Sequence, residues 1–452
     1  MDSSTDTNPP QSPNGVDQRD RPRTPSDEDV YARWPWVEPS AWTARMLTTL
    51  ETGVRGGKWY CLMDKVLKTD NLLAAFAKVK ANGGAAGVDR VTVKAFANRL
   101  DKNLAWLDEH LRAGPYRPSP VRRVHIPKPG GSRKRPLGIP AVRDRVVQGA
   151  LRHVLEPIFE RDFAPHSYGF RPGRGCKDAL REVVGLLDAG NTWVVDADIQ
   201  GYFDSIPHEP LIARVREKVT DRSVLGLLEA FLTQGVIEDL AEWTPEAGVP
   251  QGGVISPLLA NIYLDPLDHL LAERGLAMIR YADDFVVLCR DEATARTALA
   301  LIQDWTGANG LRLHPDKTCL VDATKHGGFD FLGYHFERGY KWPRDKSQKK
   351  LKDAVRAKTK RCNAHSLERI IDTLNPLLRG WFEYFKHGHK YTYPNVDSWV
   401  RMRLRSILRN RRKRKGRGRG SDHQRWPNAY FAEHGLYSLA TAHALACQSA
   451  LR

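Results

Sequence analysis

The chain has 452 residues, 41% of them hydrophobic, and a formal net charge of +17. That length accommodates two or three domains with buried cores, and no stretch approaches the ~18 uninterrupted apolar residues of a membrane span. The six cysteines are scattered, with no Cys-x-x-Cys pair, which argues against a zinc site and a disulfide framework and for a reducing, cytoplasmic compartment. The opening MDSSTDTNPP is polar and acidic, unlike a secretory leader. Charge is regional: residues 341–425 hold 26 Lys and Arg against 7 Asp and Glu, a net of +19, so the remainder sums to about −2. A basic segment of that size interleaved with Trp, Tyr and Phe reads as a nucleic-acid surface rather than a solvated face.

Residues 1 to about 35 are rich in Ser, Thr, Asp, Pro and Arg, too polar to offset the entropy of ordering, so 1–40 is expected to be a disordered tail. A helical pattern begins near Trp42, and Leu72, Ala75, Phe76 and Val79 fall at spacings of 3, 4 and 7. GPYRPSPVRRVHIPKPGGSRKRPLGIP alternates apolar and basic residues between Pro and Gly punctuation and reads as a basic hairpin. WVVDADI puts Val194, Asp196 and Asp198 on one face of a strand. Ser256-Pro257 reads as a helix start, with Ser as N-cap. MIRYADDFVVLC reads as two short strands around a tight A-D-D turn. Leu374, Leu377, Leu378, Trp381, Phe382 and Phe385 then trace one wide apolar helix face, with Asn375-Pro376 as its start signal. The run RNRRKRKGRGRG (409–420) is too basic and Gly-rich to fold alone and is expected to be a flexible phosphate-binding arm.

Three carboxylates stand out: Asp198 at a strand end and Asp283-Asp284 at a hairpin tip. Adjacent strands would bring all three together. Converging carboxylates suit two Mg²⁺ ions about 4 Å apart, the arrangement used for nucleotide transfer to a 3′-hydroxyl. Each motif alone is weak, since a lone Asp at a strand end is usually a cap and a bare Asp pair a solvated turn.

The order of motifs overturns that bland reading. IPKPGGSRKRPLGIPAVRDRVVQ (126–148), SYGFRPGRGCKDAL (167–180), DADIQGYFDSIPH (196–208), GVPQGGVISPLLANIYLDPLD (248–268), RYADDF (280–285), LRLHPDKT (311–318), FDFLGYHF (329–336) and LNPLLRGWFEYFK (374–386) follow one another. In that series the chain resembles the reverse transcriptases of bacterial group II introns. The resemblance runs from about residue 55 to 415. It implies an α+β right-hand polymerase: fingers and palm over 41–340, a helical thumb/maturase domain over 341–408 and a basic nucleic-acid-binding region over 409–452. The palm would be a split βαβ sheet of antiparallel strands.

The resemblance also implies roles for single residues. Asp198, Asp283 and Asp284 would hold the metal pair, with Asp196 and Asp204 as structural neighbours. Lys128 and Arg135 would clamp the triphosphate, with Arg133 and Lys134 as alternatives. Gln251, beside Gly252 and Gly253, would sit where backbone approaches the incoming nucleotide. Phe203 would exclude a ribose 2′-hydroxyl, packing being its plainer role. Lys317 would protonate departing pyrophosphate. Tyr168, Arg171 and Arg174 would hold template. Arg379, Lys386, Arg411, Arg412 and Lys413 would grip RNA.

The expected activity is RNA-templated DNA synthesis from deoxynucleoside triphosphates on a DNA primer or target, together with a maturase role on the intron RNA. Many relatives end in a zinc-bound nuclease with paired cysteines. Here only Cys447 follows Cys362, so a form lacking that nuclease is expected, with its primer made elsewhere. Two other classes share much of the pattern: reverse transcriptases of retron, diversity-generating or antiphage systems, and RNA-binding splicing factors without polymerase activity. The LRGW helix favours the intron type over the first, and the intact Asp198, Gln251 and Asp283 speak against the second. Oligomeric state is open at this stage.

Overall fold

The computed structural model describes residues 26–54, 56–127, 134–239, 241–418 and 420–450. Lys128, Arg133 and residues 1–25 of the expected tail lie outside them. Among the described residues eleven strands form three sheets. In chain order they are β1 (Val121–Pro127), β2 (Lys134–Ile139), β3 (Trp193–Asp198), β4 (Val236–Glu238), β5 (Ala241–Trp243), β6 (Ala277–Tyr281), β7 (Asp284–Cys289), β8 (Cys319–Asp322), β9 (Phe329–Phe331), β10 (Tyr334–Glu337) and β11 (Tyr340–Pro343).

The central sheet has the order β6-β7-β3-β8 with every neighbouring pair antiparallel. Alternation gives it two distinct faces. Val195, Ala197, Phe285 and Val287 join the core with Leu258 and Ile262 of helix Ser256–Glu273 and Ala295 and Ile302 of helix Glu292–Ala308. Val194, Ile279, Val286 and Leu288 pack on Ala179, Leu180 and Val183 of helix Cys176–Asp188 and on Phe331 and Phe336 of the sheet β11-β10-β9. Asp196 and Asp198 share this second face. The result is the expected palm, antiparallel strands backed by helices. The Ser256-Pro257 start signal is correct within one residue: Ser256 opens the helix, Ile255 occupies the cap, and Ser256 Oγ donates instead to Pro250 O at 2.8 Å.

The basic hairpin forms as β1 and β2, paired from Arg122 opposite Ile139 to Pro127 opposite Lys134. β4 and β5 extend it into a four-stranded fingers sheet. Behind it, helix Thr69–Asn82 buries Leu72, Ala75, Phe76 and Val79 against helix Val142–Glu160, as their spacing predicts.

The expectations for the tail and the basic arm fail. The described part of the tail expected over 1–40 is ordered: Ser26 and Asp29 cap helix Asp27–Arg33 reciprocally, Val30 and Val37 are buried, and Tyr31 donates its hydroxyl to Trp42 O at 2.8 Å. The few apolar residues there are large and dock, which composition averages away. The described residues of the arm expected over 409–420 are also folded. Helix Thr392–Arg411 ends, Gly418 passes so close to Arg405 that a Cβ would meet its Cβ at 2.4 Å, and Arg409 pairs with Asp422 at 2.7 Å. Trp426, Phe431 and Leu439 then enter one core with Leu374, Leu378, Phe382, Val400 and Leu404. Trp426, Phe431 and Leu439 thus complete the core of the helical thumb.

The thumb helix carrying LRGW starts earlier than Asn375-Pro376 indicates. It spans Leu367–Phe385, with Ser366 as its cap and Pro376 inside. The apolar stripe continues upstream through Ile370 and Ile371, and burial of that stripe outweighs the proline.

Candidate active site

β3 and β7 pair in a register that sets Asp198 directly opposite Asp284. β6 and β7 pair as Tyr281 opposite Asp284, leaving Ala282 and Asp283 as a two-residue turn with Ala282 at φ 62°. Positive φ at the first turn position matches the twist of the flanking strands and costs a non-glycine residue strain. The geometry therefore gathers Asp198, Asp283 and Asp284 at one corner of the palm, as expected from the sequence.

Their electrostatics agree. Burial and the neighbouring Asp198 charge raise the Asp283 carboxyl above its ordinary range, opposed by Arg135 and Lys317. Asp284 is pushed up to about 7 by burial and then by Asp283 and Asp198. Asp196, on the same strand face as Asp198, is pushed up to about 8 by burial, Asp284 and Asp330. Crowded carboxylates that resist ionising together call for cations. Lys317 supplies one: its Nζ donates to Asp198 Oδ2 at 2.6 Å. The LRLHPDKT segment reaches there because His314 N donates to Asp198 O and Gln200 N to Arg312 O, both at 2.8 Å.

Among the described residues no three His, Cys, Asp or Glu side chains form a ready-made metal cage. An open set suits Mg²⁺, which takes one or two carboxylates and fills its remaining positions with water and substrate phosphate. The crowded aspartates, already drawing a cation onto Asp198, fit such ions.

A buried brace holds the turn. Arg280, 1% exposed, makes a bidentate pair with Asp268 and donates from Nη1 to Asn261 Oδ1 and Ala282 O, both at 3.0 Å. Asn261 donates in turn to Gly169 O at 2.8 Å. Tyr168 N donates to Arg280 O at 2.8 Å, so the SYGFRPGR loop crosses against the aspartate turn, and a Cβ on Gly169 would meet Ala282 N at 2.2 Å. Removing one partner from such a buried ion pair costs about 3–5 kcal/mol. The sequence pattern by itself gives Arg280, Asp268 and Asn261 no role. A signal existed, because an Arg inside an apolar strand and an Asp inside an apolar helix both require partners.

The remaining expected residues divide. Arg135 lies on β2, exposed. Phe203 is half-buried and edge-on to Phe170 and Tyr202, with ring centroids 6.3 and 5.8 Å away. Gln251 donates from Nε2 to Asp204 Oδ2 at 2.9 Å, and its carbonyl accepts from Gly138 N at 2.7 Å. The space left by Gly252 and Gly253 is taken by Gly138 O and Ser256 Oγ, so these glycines serve close packing against β2 and the helix start.

Arg171 is not a template contact. Its buried side chain pairs with Glu160 at 2.7 Å and donates to Ala164 O and Ser167 O, which fixes the loop from inside. Tyr168 is buried beneath Arg174, which lies 5.7 Å over its ring. In the thumb, Arg379 is exposed and lies 5.4 Å over Tyr437. Lys386 is half-buried and pairs with Glu383 at 3.2 Å, while Arg411, Arg412 and Lys413 are exposed at the end of helix Thr392–Arg411.

Known proteins align with these parts. Residues 126–336 match the family described as reverse transcriptase (RNA-dependent DNA polymerase), and residues 348–426 match the group II intron, maturase-specific domain. Protein YkfC of Escherichia coli (strain K12) is 38% identical over 294 residues, which cover 56% of this chain and 76% of that protein. The group II intron-encoded protein LtrA of Lactococcus lactis subsp. cremoris is 38% identical over 210 residues, 46% of this chain but only 34% of LtrA. A reverse transcriptase region followed by a maturase-specific region is the order these matches show along the chain, and the chain belongs to the group II intron reverse transcriptase/maturase family.

Proposed function

We propose that this chain copies group II intron RNA into DNA from deoxynucleoside triphosphates, and that its thumb holds the same RNA to assist splicing. The observation that carries the polymerase half is the register of Asp198 opposite Asp284 with Asp283 in the adjoining turn. Asp198 and Asp283, with Asp284 beside them, would hold two Mg²⁺ ions. Bound there, the ions would make the primer's 3′-hydroxyl nucleophilic and balance the charge of the triphosphate.

The chain's own groups do the rest. Arg135, on β2 and near enough for its charge to act on Asp283, would take triphosphate oxygens in a bidentate fork, with Lys128 assigned alongside it. Phe203 fills the space of a 2′-hydroxyl. Gln251 is oriented by Asp204 to line the nucleotide's path. Lys317, whose Nζ donates to Asp198 Oδ2, would carry a proton to the departing pyrophosphate. Arg174, over the Tyr168 ring, takes template phosphate. Arg379, Lys386, Arg411, Arg412 and Lys413 take phosphates of the intron RNA.

The test has two arms: extension of a DNA primer annealed to an RNA template with deoxynucleoside triphosphates and Mg²⁺, and splicing of the RNA that flanks this gene at near-physiological Mg²⁺. Template-dependent cDNA, and splicing accelerated by the protein, are expected. Extension without any effect on splicing would overturn the maturase half and leave the polymerase half standing.

A further inference from the structure

Among the described residues few large hydrophobic side chains are exposed, and two of those few meet at one place: Tyr340, 58% exposed, and Tyr391, 64% exposed. Tyr340 follows the turn joining β10 to β11, where Arg338 and Gly339 have φ of 52° and 76°. Two positive values in succession mark the primed turn that holds a hairpin rigidly. Tyr391 is the residue preceding helix Thr392–Arg411. His389 stands between them, edge-on to Tyr340 with centroids 4.9 Å apart and 5.1 Å from Tyr391. Its backbone N–H donates to Lys341 O at 2.7 Å, which ties the segment to β11. Lys390 Nζ lies 5.4 Å over the Tyr391 ring.

A cavity of about 350 Å³ opens beside this group, walled by Asp188, Lys341, Tyr340 and His389 among others. A cavity of roughly 150 Å³ holds benzene, so this one has room for a nucleobase. Thr192, the residue before β3, lines it six residues from Asp198, which at ~3.3 Å per residue places it about 20 Å from the corner proposed for catalysis.

Exposed rings held on rigid backbone, with a cation over one of them, are a poor way to stabilise a fold and a good way to stack unpaired bases. A paired helix buries its base faces and offers them nothing. The surrounding segment carries the +19 charge of residues 341–425, complementary to a phosphate chain. We infer that Tyr340, His389 and Tyr391 form a stacking platform for an unpaired RNA segment, with Lys390 and Lys341 on its phosphates and a turned-out base in the adjoining cavity. This extends the RNA-binding reading to a specific site and uses no catalytic residue, so it fails or holds apart from the polymerase reading.

The experiment uses the full chain with its polymerase cleft filled by excess blunt RNA–DNA duplex. A fluorescent single-stranded oligoribonucleotide of about ten nucleotides is then titrated in and followed by anisotropy. The double variant Tyr340→Ala/Tyr391→Ala should bind it at least about fivefold more weakly, whereas Tyr340→Phe/Tyr391→Phe should bind like the parent, because stacking needs the ring and not the hydroxyl. In the parent, a 4-thiouridine oligoribonucleotide should cross-link within residues 338–341 or 387–391, a readout that does not depend on the variants folding. Unchanged affinity in the Ala variant, equal loss in the Phe variant, displacement of the strand by polyglutamate as readily as by unlabelled RNA, or cross-links confined to other segments would each overturn the inference.

Discussion

Lys317 Nζ stands 2.6 Å from Asp198 Oδ2, so the carboxylate assigned to the metal pair already carries a cation of its own. The lysine is half-exposed, and an ion pair in that setting is worth about 0.2–1 kcal/mol. Lys317 therefore competes weakly with Mg²⁺ for Asp198. Lys317→Met should tighten Mg²⁺ binding by about 1.4- to 5-fold in a calorimetric titration, while lowering kcat if Lys317 has the proton-donor role proposed for it. Weaker Mg²⁺ binding in the variant would contradict the competition.

Gly169 is bound to the Ala282-Asp283 turn by space. A methyl group there meets Ala282 N at 2.2 Å, and backbone cannot yield as a flexible side chain does. Gly169→Ala should shift the Asp283 turn, and a displacement near 1 Å costs about a hundredfold in rate. Extension should fall by that order with RNA affinity kept. Near-parental extension would show that the loop does not set the turn.

How much of this is legible in the sequence depends on whether the information is local. Asp198 at a strand end and a tight turn after Tyr281 follow from period-two alternation broken by acidic residues, and both form, but the turn is Ala282-Asp283 alone and Asp284, expected at the tip, opens β7. Arg171 and Arg174 are indistinguishable in the string GFRPGR, yet one is inside the loop on Glu160 and the other is over Tyr168. Only the fold around them decides that. The basic run after Arg409 misleads for a related reason: its folding depends on Asp422, Trp426 and Phe431 farther along. The pairing of Lys317 with Asp198 is hidden in the same way, since the two lie 119 residues apart.

His153 should make stability depend on pH. Its Nδ1 meets Asn71 Oδ1 at 2.8 Å and its Nε2 meets Lys78 Nζ at 2.9 Å, so a neutral ring donating to Asn71 and accepting from Lys78 satisfies both. Burial, then the Lys78 and Arg152 charges, push it down to about 3 from 6.5. The unfolded chain therefore binds this proton between those values and the folded chain does not. Its contribution is fully present above pH 6.5 and is lost as pH falls toward 3, with a slope of up to about 1.4 kcal/mol per pH unit. In urea unfolding, His153→Gln should be less steeply destabilised than the parent across that window. Parallel curves would contradict the assignment.

The basic cluster at the end of helix Thr392–Arg411 is tested by substitution, because truncation at Arg409 would strip Trp426, Phe431 and Leu439 from the thumb core. Replacing Arg411, Arg412 and Lys413 with Gln should weaken binding of intron RNA. It should also flatten the slope of log affinity against log salt, by about 0.7 for each single-strand phosphate that is no longer neutralised. A slope unchanged from the parent would mean that these side chains do not meet phosphate.

Converging aspartates at the palm corner perform nucleotide transfer, on this account, while the basic thumb binds RNA independently of them. Asp283→Ala removes one carboxylate from the turn and leaves the Arg280–Asp268 brace intact. The decisive measurement is primer extension on an RNA template with Mg²⁺, made beside an RNA-binding titration on the same preparation. Extension should be abolished while RNA affinity stays at the parental value. Near-parental extension by Asp283→Ala would contradict the assignment of the site.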